Sequence, residues 1–230
     1  MSEIAYTGAD NLEAMEAAKN YNRVLQASIL SAIPAGSRRI LDFGAGIGTF
    51  AERIRMSGFP VTCLEIDSGL SLKLREMGFE VKSSLDGADS GRWDCIYSLN
   101  VLEHIEDDQA AIDRIASSLR PGGTTFIFVP AHPLLYSAMD RRVGHVRRYS
   151  RARMKRLLIG AGLKVEIIRH ADSIGFLATL AYKLFGDRTG AITTASVGLF
   201  DRLAFPVSLI LDRVVHPVFG KNLWVLARKP

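Results

Sequence analysis

Cysteine is nearly missing from this chain: Cys63 and Cys95 are the only two, and each sits inside an apolar run. Two isolated thiols make neither a metal-ligand spacing nor a redox pair, so both read as buried and reduced, and no metal site is expected. Equally absent is an unbroken apolar run long enough for a bilayer, because Asp201, Arg202, Pro206 and Asp212 interrupt the apolar stretch 197–220. There is no repeat and no low-complexity segment. The opening MSEIAYTGADNLEAMEAAKNYN has acids and no apolar core, unlike a secretory leader, so a cytoplasmic protein is the expectation.

What is present is an ample core and an uneven charge. Apolar residues make up 48% of 230 positions, enough for one large α/β domain with an appendage. The net charge of +5 is modest, but Arg141 to Arg156 packs eight Lys/Arg into sixteen residues. Such a cluster serves an anionic substrate, a membrane surface or nucleic acid, or is simply a solvated helix face and loop.

Seven apolar segments read as strands: RRILDF (38–43), PVTCLE (60–65), FEVKS (79–83), WDCIYSL (93–99), TTFIFVP (124–130), KVEIIR (164–169) and LWVLAR (223–228). Most are separated by helix-length stretches, the signature of a doubly wound sheet. DDQAAIDRIASSLRPGG puts Ile112, Ile115, Ala116 and Leu119 on one face and stops at Pro121 and two glycines. SRARMKRLLIGAG opens with Ser150 as an N-cap and ends at Gly160 or Gly162. A polar helix is expected from about Asn11 to Ile33, and apolar, interrupted helices over 173–186 and 197–220.

The stretch ILDFGAGIGTF sets three glycines, Gly44, Gly46 and Gly48, after an apolar run that carries Asp42. Lacking a Cβ, such a turn lets a ligand lie against the main chain. A dinucleotide fingerprint needs glycine at the sixth position from Gly44, where Thr49 stands, and a Walker loop needs a lysine that GIGTF lacks. About twenty residues on, Glu65 in VTCLEID is placed to receive the two hydroxyls of a ribose, or is an ordinary strand-end carboxylate.

In order and spacing, ILDFGAGIGTF, VTCLEID and WDCIYSLNVLEHIEDD with LRPGG resemble the class I S-adenosylmethionine-dependent methyltransferases over about residues 38–130. The resemblance implies a Rossmann-like, doubly wound, mostly parallel seven-stranded α/β sheet with helices on both faces. It implies S-adenosylmethionine as cofactor, the methionyl part lying against Gly44, Ala45, Gly46 and Gly48. By the same resemblance Asp42 helps to hold the methionine amino group and Glu65 the ribose. Ile66 packs on the adenine, Ser84 and Leu85 border its other side, and Asn100 lies near the methionine moiety or the transferred methyl. NYNRVL and PAHPLLYSAMDRRVGHVRRYS look like a bacterial subgroup of these enzymes, which makes Tyr21 and Asn22 part of a helix that lids the cofactor.

Methyl transfer from a sulfonium is an in-line displacement, so a base is needed only when the acceptor is protonated. His104, His132 and His145 follow the fourth and fifth strands, where the sheet's carboxyl edge is expected, and histidine is the side chain suited to that task. His104 reads as packing beside the cofactor, whereas His132 and His145 are the catalytic candidates, His145 having Asp140 upstream. Arg147, Arg148 and Tyr149 are the acceptor-binding candidates; with Arg141 and Arg142 they suit a phosphate or carboxylate, or else pair with surface acids.

The domain plan expected is a helical lid over 1–36, a cofactor-binding core over 37–170 with an acceptor-side insertion at 131–149, and an apolar helical elaboration over 171–230 that ends in the last strand. The function expected is methyl transfer to a small-molecule or lipid-linked acceptor with an anionic group, with peripheral contact to an anionic membrane. Its rivals are a non-catalytic cofactor-binding module that holds membrane or nucleic acid, and an aminopropyl-type transferase. No RNA module is visible, and NVLEH stands where amino-methylating enzymes of nucleic acids carry a PPY-type motif, so nucleic acid ranks low.

Overall fold

A computed structural model describes residues 15–185 and 194–230 of the chain. The strands are β1 (Ile40–Phe43), β2 (Val61–Leu64), β3 (Glu80–Lys82), β4 (Trp93–Leu99), β5 (Leu119–Pro130), β6 (Lys164–Ala171) and β7 (Asn222–Arg228). They form one sheet in the order β3-β2-β1-β4-β5-β7-β6, with every pairing parallel except those of β7, which runs antiparallel between β5 and β6. The Rossmann-like architecture expected from the sequence is the one observed.

Helices cover both faces. The α-helices are α1 (Lys19–Ala32), α2 (Thr49–Met56), α3 (Ser68–Glu76), α4 (Asp108–Ser118), α5 (Ala138–Arg142), α6 (Arg151–Gly160), α7 (Ser173–Phe185), α8 (Thr194–Leu203) and α9 (Phe205–Val215). In β5 the side chains alternate: Phe126 and Phe128 meet Leu25 and Ile29 of α1, while Ile127 and Val129 meet Ile112 and Ile115 of α4 and Met154 and Leu158 of α6. A strand buried on both faces has to be apolar throughout, which is why TTFIFVP shows no polar alternation. Helix starts follow local chemistry, with Asp67, Asp107 and Ser150 accepting from the amides of Leu70, Ala110 and Arg153 at 2.9, 2.9 and 3.1 Å.

Three details differ from the sequence expectations. β5 begins at Leu119, directly after α4, and its ladder with β4 shifts register between Trp93 and Cys95. At Gly123 an added Cβ would stand 2.9 Å from the Arg120 carbonyl oxygen and 3.0 Å from that of Trp93, so only glycine lets the chain pass. The opening helix, as far as it is described, is a core element: Leu25, Ile29 and Ala32 bury against the sheet, and Tyr21 in its first turn packs edge-on against Phe128 and Phe205. The part of that helix expected before residue 15 lies outside the described residues, as does position 186.

The apolar stretch 197–220 contains α8 and α9, bent by 55° at Ala204. Among the described residues no single helix is long and apolar enough to cross a membrane. Helices α7 to α9 leave the sheet at the end of β6 and return to β7. Their two stems touch, the Lys221 amide donating to the Asp172 carbonyl at 2.9 Å.

Candidate functional site

The glycine turn stands at the carboxyl end of β1, where the strand order reverses toward β4 and open α/β sheets hold their ligands. Gly44, Gly46 and Gly48 all have positive φ, at 82°, 57° and 88°. Gly44 and Ala45 amides both donate to the Leu64 carbonyl, at 2.9 and 3.1 Å, which ties the turn to β2. A Cβ on Gly44 would lie 2.4 Å from Val101 Cγ2, and one on Gly48 2.8 Å from Leu74 Cδ2. Gly44 is therefore required by packing as well as by dihedral angle, and Gly48 by its dihedral angle, since the Leu74 tip can move.

Gly46 has a different partner. Its amide donates to Glu65 Oε2 at 2.8 Å, and the Asp67 amide donates to Glu65 Oε1 at 2.9 Å. Each oxygen keeps acceptor capacity after one bond, so a pair of vicinal hydroxyls fits this carboxylate. Asp42 is buried, and the Tyr97 hydroxyl donates to its Oδ2 at 3.0 Å. Burial lifts the Asp42 carboxyl to about 7, against the opposing Tyr97 bond and helped by the nearby Glu65 charge. A buried acid held this close to neutrality is a receptor for a cation, which suits the amino group of S-adenosylmethionine.

The other expected contacts lie along the same carboxyl edge. Ile66 after β2 is 67% exposed, a large apolar side chain open to a planar partner. After β3, Ser84 is exposed and Leu85 buried. Asn100, closing β4, is exposed with φ of 54°, and its amide donates to the Phe128 carbonyl at 2.7 Å. These groups fit the cofactor that the resemblance implies.

Beyond Asn100 lies a cluster of buried acids and histidines. His145 Nδ1 is 2.9 Å from Asp140 Oδ1, and its Nε2 is 3.7 Å from Glu103 Oε1. Burial pushes Asp140 up, but hydrogen bonds from His145, Arg148 and the Ser137 amide outweigh it and hold the carboxyl below its usual range. An ionised Asp140 fixes the proton on Nδ1 and leaves Nε2 as the basic nitrogen. Glu103 is completely buried, and neither of its oxygens finds a hydrogen-bond partner among the described residues. Burial pushes its carboxyl to about 8, opposed by its own amide and Arg148.

His104 packs edge-on against His145 at 4.8 Å, and burial with the neighbouring His145 holds it down at about 4. Glu103, His104 and His145 each bring one potential donor atom to within 4.8 Å of the others. His132, with φ of 58°, stacks on His170 at 4.6 Å and meets the edge of Phe176 at 5.1 Å. Burial and Arg148 keep it below the usual histidine range, so it is a neutral ring in an aromatic wall, without the orienting acid that His145 has.

Tyr21 overlooks this cluster from α1. Its phenol is pushed up by burial and by Asp172 and Glu103, against a hydrogen bond with Asn100. Tyr21, Phe128 and Asp172 also line a cavity of about 310 Å³, whose walls continue through Leu25, Phe205, Leu209 and Trp224 and include the charged Arg169, Asp212 and Arg213. Asn22 is buried and donates to the Met15 carbonyl at 3.0 Å.

The acceptor-binding assignment of Arg147, Arg148 and Tyr149 is corrected by their surroundings. Arg148 is buried, with Nε 2.8 Å from Asp140 and Nη1 3.3 Å from the Ala131 carbonyl. Arg147 donates to the Ile105 carbonyl and, at 2.8 Å, to that of Glu106. Tyr149 is fully buried, its hydroxyl 2.9 Å from the Leu102 carbonyl and 3.0 Å from Asp108 Oδ2. Carbonyls and buried acids at this density consume the cations internally, whereas Arg141 and Arg142 are exposed. The group that sequence reasoning missed is Glu103, hidden in VLEH, where only its burial gives it a role.

Residues 13–167 match a family model described as a methyltransferase domain. The chain belongs to that family. It is a class I S-adenosylmethionine-dependent methyltransferase, with S-adenosylmethionine as its cofactor. Among curated relatives, the ubiquinone biosynthesis O-methyltransferase of Xanthomonas axonopodis pv. citri is 31% identical over 107 residues, which are 41% of this chain and 43% of that protein. The methyltransferase thus aligns with less than half the length of such relatives. A S-adenosylmethionine-dependent methyltransferase from Mesorhizobium loti shares the fold at a TM-score of 0.60 and 18% identity, covering 88% of this chain and 96% of its own. Phosphoethanolamine N-methyltransferase 2 of Haemonchus contortus, solved with S-adenosyl-L-methionine, does so at 0.60 and 16%, covering 90% and 52%.

Proposed function

We propose that this methyltransferase acts on a hydroxyl oxygen of a small acceptor with an apolar body, free or lipid-linked, and that His145 takes the hydroxyl proton. The observation that carries the reading is the row Asp140, His145, Glu103. It has an ionised acid 2.9 Å from Nδ1 and a buried, otherwise unpartnered acid 3.7 Å from Nε2. A base oriented by a carboxylate is what a protonated acceptor needs and a tertiary amine or thioether does not. The curated relatives named as ubiquinone biosynthesis O-methyltransferases support an oxygen acceptor.

When bound, the cofactor supplies a methyl group on a positively charged sulfur. Asp42 holds its amino group, Glu65 its ribose hydroxyls and Ile66 one face of its adenine, with Ser84 and Leu85 on the other side and Asn100 beside the methionine end. His145 Nε2 receives the acceptor proton, and the ionised Asp140 stabilises the resulting imidazolium through Nδ1. Tyr21, kept protonated, and His132, kept neutral, wall the acceptor without adding charge. The cavity beside Tyr21 supports an apolar acceptor body. An anionic head no longer has Arg147 and Arg148 to receive it. The test is turnover of a panel of phenols with and without an apolar tail: activity confined to amines, with none on phenols, would overturn the oxygen assignment.

A further inference from the structure

Helices α7, α8 and α9 present outward faces that are apolar at helical spacing. On α9 and the turn after it, Val207, Ile210, Leu211, Val214 and Val218 are all exposed, Val214 by 79%. Leu199 and Leu203 continue this on α8, and Leu177, Leu184 and Phe185 on α7, where Phe185 is 87% exposed. α9 packs on both α7 and α8, so the three faces belong to one helical block. Scattered exposed leucines need no explanation, but a run of ten such side chains on adjoining helices marks a surface that meets something apolar.

The charges on these helices are sorted. Their only acids are Asp201 and Asp212, and both are committed to helix starts inside the protein. Asp201 accepts from the amides of Asn20 and Tyr21 at 2.9 and 2.8 Å, and Asp212 from those of Asp172 and Ser173 at 2.7 and 2.9 Å. Their basic residues, Lys183, Arg202 and Arg213, are all exposed. Among its described residues the block therefore shows water a combination of large apolar side chains and cations with no outward acid. A second protein copy offering the same face would set cation against cation, whereas an anionic bilayer surface complements both components.

We infer that the outer face of α7–α9 docks the protein, without spanning, on a membrane containing anionic lipid. The apolar side chains enter the acyl boundary while Arg202 and Lys183, whose ammonium also donates to the Leu134 carbonyl, meet headgroup phosphates; Arg213 borders the cavity beside Tyr21. The inference does not depend on the acceptor or the base, because docking is measured without turnover.

Co-sedimentation of the full chain with vesicles tests it, using phosphatidylcholine alone against phosphatidylcholine with about a third phosphatidylglycerol. Binding to the anionic vesicles, release by high salt, and at least about tenfold weaker binding of the Lys183→Gln, Arg202→Gln double variant are expected. Ile210→Glu with Val214→Glu should abolish binding while circular dichroism and cofactor affinity stay as in the parent. Equal binding to both vesicle types, or none to either, overturns the proposal. So does a dimer in light scattering that the Ile210→Glu, Val214→Glu pair dissolves, since the face would then belong to a second copy.

Discussion

Asp140 serves two masters: its Oδ2 accepts the Ser137 amide at 2.9 Å and so starts α5, while its Oδ1 holds His145 Nδ1 at 2.9 Å and Arg148 Nε at 2.8 Å. The orientation of the proposed base is thereby locked to the fold of the insertion. His145→Gln should lower turnover on a hydroxyl acceptor by roughly 10²- to 10⁴-fold, the usual worth of a positioned base. Cofactor affinity by calorimetry should not change. Retained turnover in this variant would remove His145 from the mechanism.

If Asp42 receives the amino group, cofactor affinity should depend on pH. The Asp42 carboxyl titrates at about 7 in the free protein, so below that value the incoming amino group must displace a proton. Affinity for the demethylated cofactor should rise as pH increases from about 5.5 to 7, with proton release in calorimetry. Asp42→Asn should flatten that rise; an unaltered slope would assign the proton elsewhere.

Glu65 gives a plainer expectation. Glu65→Ala should weaken cofactor binding by roughly 1 to 3 kcal/mol, the loss typical of hydrogen bonds to a charged group, and free the Gly46 amide from its clamp. Unchanged affinity in a titration would show that the ribose is held elsewhere.

Glu103 costs stability as it ionises. Its carboxyl is raised in the fold from an ordinary 4.5 to about 8, so the folded chain binds the extra proton between those values. Stability from this group is full below 4.5 and is lost as pH climbs to about 8. The melting temperature of Glu103→Gln, relative to the parent, should therefore rise between pH 5 and 8.5. A constant difference across that range would mean that Glu103 is already ionised throughout.

Donor atoms of Glu103, His104 and His145 are close enough together for a cation to displace the proton chemistry. The base reading expects full turnover after dialysis against a chelator. Activity that is lost and then restored by a divalent cation would replace it.

The geometry of the glycine turn and its contact with Glu65 was legible because it is local. Gly44, Gly46 and Gly48 announce a turn of positive φ, and Glu65 follows at a fixed distance along the next strand, so spacing in the chain becomes spacing in the site. The acceptor half was less legible because its groups come together only through long-range packing. Arg147 and Arg148 read as forks for an anionic acceptor until the carbonyls of Ile105 and Ala131 and the carboxylate of Asp140 are seen around them. Glu103 is an ordinary acid in sequence and an unusual one only once its carboxylate is seen fully buried, with no side-chain hydrogen-bond partner among the described residues. The helix through Leu25 and Ile29 read as a lid from the likeness of NYNRVL to a bacterial subgroup, and its apolar stripe, which closes a face of the sheet, shows only in the packing.

The Asp172 and Lys221 contact at the base of α7–α9 has a consequence for how such proteins diversify. Residues 173–220 depart and return at one point, and the family match ends at residue 167, short of that departure. A loop with touching stems can be lengthened, shortened or transplanted at small entropic cost and without re-registering a strand. Selection, or an engineer, can therefore exchange this segment while inheriting the methyl-donor half unchanged.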